Sequence, residues 1–290
     1  MDKVKIAGHW KDISTMYIKA AGKWKEVRYT LLKQGGKWIN TSTLPWVYNI
    51  TVVVKNTADV AKITSIDVGG NVIRTVTGKE VNFKSKRLTH AQIVIGDLSG
   101  DSVLAVRGAV ANMKKMMYAW DKITTPPDLS NLDISRSISM EAMMRGWKAI
   151  TTPPDLSSFD TSKVLSMNTM MYAWNKVTTP PDLSSFDTSL VVDMGYMMSG
   201  WGALTTPWGL GTGVEDFNIE SLTLAKGMFE GTKVSTALYD AILTKWSAQN
   251  FKPNVTLGMG TAKYSNTSAI IACRKKLTDA GWQITDGGHA

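Results

Sequence analysis

The sequence predicts a multidomain, β-rich protein: an N-terminal β-meander of short repeats, a small antiparallel β domain, and a C-terminal α/β solenoid closed by an α/β cap. Three observations carry this expectation. A Gly-x-Trp step recurs every 14 residues at the N-terminus, and a longer unit recurs every 27 residues from Trp120 onward. Between them lie β-branched runs separated by turn residues. The 290 residues are 43% hydrophobic and 20% charged, which supplies several cores and excludes a disordered chain. The expected boundaries are 1–42, 43–108, 109–232 and 233–290.

The first element is built on Gly8-His9-Trp10-Lys11, Gly22-Lys23-Trp24-Lys25 and Gly36-Lys37-Trp38. Each step reads as a turn followed by a short strand. So small a module needs large apolar side chains for a core, so core packing is the first reading of the tryptophans. An aromatic row facing a carbohydrate or a protein partner is the second. Charge bears on this choice. The net charge is +9, yet residues 1–50 hold nine basic and three acidic side chains, and residues 111–210 hold eight and nine. The basic excess therefore marks one end. It points to docking on an acidic partner rather than to nucleic acid, with Trp10, Trp24, Trp38, Lys11 and Lys25 as candidate docking residues.

Residues 46–108 contain strand-like runs at 49–55, 62–68, 72–76, 91–95 and 103–107, with Gly69-Gly70-Asn71 as a hairpin turn. A sandwich or barrel of five or six strands is expected. Lys84, Lys86 and Arg87 form a basic patch, read first as a solvated face and second as a polyanion contact.

The long repeat follows. Trp120, Trp147, Trp174 and Trp201 are 27 residues apart, as are the Thr-Thr-Pro-Pro-Asp-Leu segments from Thr124, Thr151 and Thr178. A fourth version, Thr205-Thr206-Pro207-Trp208-Gly209-Leu210, is altered. A fifth unit runs from Phe217 to Met228-Phe229 after a four-residue insertion. Met113, Met116, Met117 and Trp120 stand at i, i+3, i+4 and i+7, which predicts one buried face of a helix. The stripe recurs from Met140, Met167 and Met194 and reads as core packing before it reads as a thioether binding groove. Asp-x-Ser at 133, 160 and 187 precedes each expected helix as an N-cap. The Ile/Val/Leu-Thr-Thr run after it reads as a short strand that the Pro-Pro pair ends. Such units stack at about 4.8 Å per strand, and none buries its apolar face alone.

In the C-terminal block, Leu238, Ile242 and Trp246 share a helix face. Thr267 to Ala280 reads as a second helix, capped by Ser265 or Asn266 and stopped by Gly281. Cys273 sits one helical step from Ile270 and Leu277, as a buried and inert thiol. With a single cysteine, no internal disulfide or cysteine-ligated cluster is expected.

Nothing in the sequence points to catalysis or a cofactor. His9, His90 and His289 lie in three separate segments, and no phosphate loop, nucleophile elbow or zinc-protease motif is present. Two acidic ladders recur, Asp128/Asp155/Asp182 and Asp133/Asp160/Asp187. Capping of turns comes first among their readings. Calcium bridging of adjacent turns comes second, and a glycosidase carboxylate pair last. No apolar run is long enough for a membrane span, and the opening MDKVKIAGHWKD lacks a secretory core, so assembly in the cytoplasm is expected.

The run from Asp155-Leu156-Ser157-Ser158-Phe159-Asp160-Thr161-Ser162 to Val164, followed by Met167 and Met170-Met171, resembles the BspA-type leucine-rich repeats of bacterial surface proteins. Residues 262–288 resemble the cap that closes such arrays. The likeness covers about residues 110–290. The sequence departs from it in placing Trp where that family often has Cys and Met-Met where it has Met-Phe. Its period of 27 also exceeds that family's roughly 25 residues. The Gly-x-Trp-Lys units resemble those at the start of some bacteriophage tail and virion proteins.

Together these likenesses imply a non-enzymatic virion protein, a tail fibre or receptor-binding protein. Its N-terminal module would hold other virion proteins, and its solenoid would meet a host cell-surface protein or glycan. The alternatives are a BspA-type adhesin or interaction protein at the bacterial surface, or a head decoration fibre. Homo-oligomerisation is left open. Units one and three share Met-Met-Tyr-Ala-Trp, and units two and four share Met-Met-x-Gly-Trp, as if a pair had been duplicated. Variation gathers at Tyr118/Arg145/Tyr172/Ser199 and Asp121/Lys148/Asn175/Gly202. Tyr118, Arg145, Lys148 and Tyr172 are therefore candidate partner-binding residues, because Tyr and Arg anchor interfaces. Drift of exposed positions is the competing reading.

Overall fold

The computed structural model describes residues 112–205 and 207–290 in full, side chains at Ile95 and residues 105–108, and strand backbones elsewhere before residue 111. The described residues form a mixed, β-containing structure with two helices near the C-terminus.

Each 14-residue repeat is a hairpin. Strand β1 (Asp2–Ile6) pairs antiparallel with β2 (His9–Ile13), β3 (Met16–Ala20) with β4 (Lys23–Val27), and β5 (Leu31–Gln34) with β6 (Lys37–Asn40). The expected meander of single strands is thus corrected to three two-stranded sheets. The run before each glycine is as strand-prone as the run after it, so each repeat supplies its own partner strand.

Six strands follow: β7 (Tyr48–Val54), β8 (Ala61–Asp67), β9 (Val72–Gly78), β10 (Glu80–Ser85), β11 (His90–Gly96) and β12 (Val103–Val110). They form two antiparallel sets, ordered β10-β7-β12 and β11-β8-β9. The sequence reading omitted β10, although Val81 and Phe83 alternate with Glu80, Asn82 and Lys84 as in a half-buried strand. The basic patch at Lys84, Lys86 and Arg87 lies outside the described side chains.

These strands lead directly into the repeats. Strand β12 pairs in parallel with β13 (Leu132–Asp133). On β11, the Ile95 N–H donates to the Met116 carbonyl at 2.7 Å, and the Ile95 carbonyl accepts the Trp120 indole N–H at 2.9 Å. One unit later the corresponding bonds run from Met117 N–H to the Met143 carbonyl and from the Trp147 indole to the Met117 carbonyl. Ile95 therefore takes the place of a methionine from a preceding unit and closes that end of the stack.

Within the repeats the buried columns match the sequence reading and the secondary structure does not. Met113, Met116, Met117 and Trp120 are buried, as are their counterparts through Trp201. No described residue between 112 and 213 is helical. Alternate N–H groups serve two purposes. Met116 and Tyr118 donate three residues back, to Met113 and Lys115, and so close turns. Met113, Lys115, Met117 and Ala119 donate instead to Ser139, Glu141, Met143 and Arg145 of the next unit, at 2.8–2.9 Å. A helix would have consumed these donors internally. Each segment contains two left-handed residues, such as Lys115 (φ 55°) and Ala119 (φ 60°), that no helix contains. The Ala/Gly alternation falls on the second of them: Ala119, Gly146, Ala173 and Gly200 all have positive φ.

The expected Ile/Val/Leu-Thr-Thr strands are also absent from the described residues. Parallel bridges occur instead at Ser139, Ser166, Asp193 and Leu224. The ladder then continues as a sheet of β14 (Leu224–Ala225), β15 (Thr256–Gly258) and β16 (Gln283–Thr285). The Thr-Thr runs stack through Thr178 and Thr205, each of which donates its N–H and hydroxyl to the threonine carbonyl one unit back.

The tryptophans form a continuous buried column. Ring centroids are 5.5 Å apart for Trp120–Trp147, 6.0 Å for Trp147–Trp174 and 5.4 Å for Trp174–Trp201. From Trp147 on, each indole N–H donates to a methionine carbonyl one unit back, at 2.7–2.9 Å. Past the insertion, Thr232 occupies the tryptophan position. Its hydroxyl donates to the Met198 carbonyl at 2.5 Å, and Trp208 fills the vacated volume by stacking on Trp201 at 5.2 Å. The insertion also corrects one alignment. Leu210 is 56% exposed, and Val214 takes the buried site that Leu183 holds one unit earlier.

Helix α1 (Thr236–Ala248) buries Leu238, Ile242 and Trp246 as expected, under a Ser235 cap. Helix α2 (Ser268–Asp279) is capped by Thr267, not by Ser265 or Asn266. Ser265 is engaged instead by the Asp240 carboxylate. Cys273 is half-buried against the core rather than fully enclosed. Asp286, with 7% of its side chain exposed, accepts bonds from the Tyr239 hydroxyl at 2.6 Å and the Arg274 Nε at 2.9 Å, pinning the C-terminal segment. Burial and the adjacent Asp286 carboxylate push the Tyr239 phenol far above its usual range.

Candidate partner-binding edge

The turns that replace the expected helices carry their varied positions outward in a row. Lys115, Tyr118, Arg145, Tyr172 and Tyr196 lie along one edge, each at least partly exposed. The Arg145 guanidinium lies over two rings, 4.8 Å from the Tyr172 centroid and 5.8 Å from that of Tyr118. The Lys115 ammonium is 6.0 Å from Tyr118, and Tyr196 meets Tyr172 edge-on at 6.5 Å. Three of the four candidates named from variation, Tyr118, Arg145 and Tyr172, are thus in one stack. Lys148 is exposed but stands outside it.

Tyr196 was missed because it occupies a different column, equivalent to Ala142 and Thr169. Its left-handed backbone (φ 52°) and the absence of a side chain on Gly227 let its ring fit there. A Cβ on Gly227 would lie 2.3 Å from the Tyr196 ring. A second surface was also missed. Ile138, Leu165 and Val192, one per unit, are 53%, 43% and 40% exposed. The N–H of each of the last two donates to the carbonyl of the one before it.

The acidic ladders cap turns. Oδ1 of Asp128, Asp155 and Asp182 accepts the N–H of the serine two residues on at 2.9 Å, and Asp133, Asp160 and Asp187 do the same at 2.9–3.1 Å. No helix follows them, so they cap turns instead of a first helical turn. The serine bonds hold the carboxyls of Asp128, Asp155, Asp160 and Asp182 below their ordinary value. A depressed folded pKa contributes stability above the unfolded value of about 3.9, and that contribution is lost as pH falls through the folded value. The thermal midpoint is therefore expected to drop below about pH 4. Asparagine at these four positions keeps the turn acceptor and should flatten that acid limb in a melting series from pH 2 to 6. The described residues contain no group of three or more His, Cys, Asp and Glu side chains able to hold a metal. Added calcium is expected to leave the midpoint at pH 7 unchanged.

The backbone places Trp10, Trp24 and Trp38 at one register in the three hairpins, opposite Lys5, Lys19 and Lys33. Their side chains, and those of Lys11 and Lys25, lie outside the described residues. No described helix is long and apolar enough to cross a membrane.

A family described as "Mycoplasma protein of unknown function, DUF285" matches residues 107–210 and 151–267, together more than half the chain. The chain belongs to the DUF285 family. The overlapping matches fall on the stacked units and reach past α1, so the DUF285 region includes both the tryptophan column and the Tyr–Arg edge. No curated protein and no solved structure matches the chain.

Proposed function

We propose that this DUF285 chain is a non-enzymatic attachment protein of a bacteriophage particle, a tail fibre or receptor-binding protein. In this reading its N-terminal hairpins hold other virion proteins, and residues from about 109 onward form a BspA-like leucine-rich-repeat solenoid that meets the host surface. The observation that carries it is the unit-by-unit stack, which displays a row of Tyr and Arg side chains on a rigid, tryptophan-filled base. Such a base positions binding groups along a line, and Tyr and Arg are the residues most often dominant in interfaces. The basic first fifty residues suit electrostatic docking on an acidic virion surface.

A second reading, a bacterial surface adhesin or interaction protein of BspA type, is favoured by the family match, since DUF285 is associated with BspA-like repeat proteins. Fractionation separates the two. The chain should co-purify with density-banded phage particles, leave them when residues 1–42 are deleted or salt is raised, and compete with particles for adsorption. Recovery in the cell envelope and absence from particles would establish the adhesin. Copy number per particle tells a tail fibre from a head decoration.

A further inference from the structure

The exposed row has a definite chemistry. The Arg145 guanidinium lies over both the Tyr118 and the Tyr172 ring. The guanidinium carries its N–H donors in a planar fork. That fork has no hydrogen bond or ion pair with a described residue. The nearby Glu141 is taken by Lys114 at 2.7 Å. The phenol hydroxyls of Tyr118, Tyr172 and Tyr196 likewise have no partner among the described residues. Lys115 adds a second cation at one end of the row.

A guanidinium lying over aromatic rings keeps its charge, is weakly hydrated, and loses little freedom when it pairs with a planar oxyanion. The flanking hydroxyls suit ring hydroxyls and glycosidic oxygens. The groups recur along successive units at about 4.8 Å per rung, a spacing suited to an extended, repeating ligand rather than a single globular epitope. The apolar column of Ile138, Leu165 and Val192 is separate and contributes no polar group to the row.

We infer that the partner of the Tyr118–Arg145–Tyr172–Tyr196 row is an acidic polysaccharide whose carboxylates pair with the unpartnered Arg145 guanidinium. This rests on the attachment reading above and names the chemistry of the attached surface.

The test uses the full chain, with polygalacturonate as the acidic probe and dextran as the neutral one, in biolayer interferometry at fixed salt. Lys263→Ala, at an exposed lysine outside the row, controls for the loss of one positive charge, and circular dichroism confirms that each variant is folded. Arg145→Ala should weaken polygalacturonate binding about tenfold or more. Arg145→Lys, which keeps the charge and loses the flat fork, should weaken it severalfold. Tyr118→Phe and Tyr172→Phe should each lose a smaller factor, and dextran should not bind. Arg145→Ala binding like the parent, or Arg145→Lys losing nothing, would overturn the inference, because binding would then reflect net charge alone. If Arg145→Ala abolishes competition for host adsorption while polygalacturonate never binds, the partner is a protein; the glycan inference falls and the attachment reading stands. If the chain neither accompanies particles nor adsorbs to cells, yet binds polygalacturonate through Arg145, the attachment reading falls and the ligand chemistry stands.

Discussion

Trp174→Ala is expected to lower the unfolding free energy by about 4 kcal/mol and to divide a single denaturation transition into two. Trp174 is fully buried, stacked between Trp147 and Trp201 at 6.0 and 5.4 Å, and donates its indole N–H to the Met144 carbonyl at 2.8 Å. Alanine removes the largest side chain of its unit, opens a cavity that a backbone bonded to both neighbours cannot close, and leaves a buried carbonyl without its donor. Stacked units couple mainly to their nearest neighbours. Loss of the central contact should therefore uncouple the part before Trp174 from the part after it. Trp174→Phe retains a stacked ring and loses only the N–H bond and some volume, so its cost should be clearly smaller. Urea titrations followed by far-UV circular dichroism measure both. Equal and small losses for the two variants would show that the column fills space without holding the units together.

Gly213→Ala is expected to cost about 3 kcal/mol, the sum of a left-handed backbone penalty and overpacking. Gly213 has φ 88°, and a Cβ there would lie 2.4 Å from the Cα and N of Ser184, both backbone atoms that a rotamer change cannot move. This glycine stands where the three earlier units carry Asp128, Asp155 and Asp182. The absent side chain is what lets the backbone after the insertion pass this close to Ser184. Gly211→Ala is the matched control. It has φ 86° and nothing within 4 Å of the added carbon, so only the backbone penalty of about 1–2 kcal/mol applies. Thermal melts of the two variants should differ by the packing contribution. If they coincide, the close approach to Ser184 is relieved by movement of the loop.

The candidate edge was partly legible because variation along a column marks outward positions. Tyr118, Arg145 and Tyr172 share a column and share a stack. Tyr196 belongs to a different column and reaches the stack through its left-handed backbone and the space above Gly227. That information is conformational, and a column of aligned letters does not contain it. The stand-in of Thr232 and Trp208 for one tryptophan was equally hidden. Hydroxyl and ring come from segments 24 residues apart and meet only after stacking.

The sequence by itself determined the period, the inward columns of Met and Trp, the acidic turns, the two terminal helices, and the buried face of the first of them. All of these follow from which side chains must leave water, and the spacing of apolar residues records that directly. Only the tertiary structure decided that the Met-rich segments are paired turns instead of helices. The spacing i, i+3, i+4, i+7 suits either form, and what separates them is where the N–H groups go. With a neighbouring unit's carbonyls 2.8–2.9 Å away, alternate donors bond outward. A helix formed in isolation has no such acceptors, so a pattern of burial within one unit cannot specify a backbone whose hydrogen bonds lie in the next.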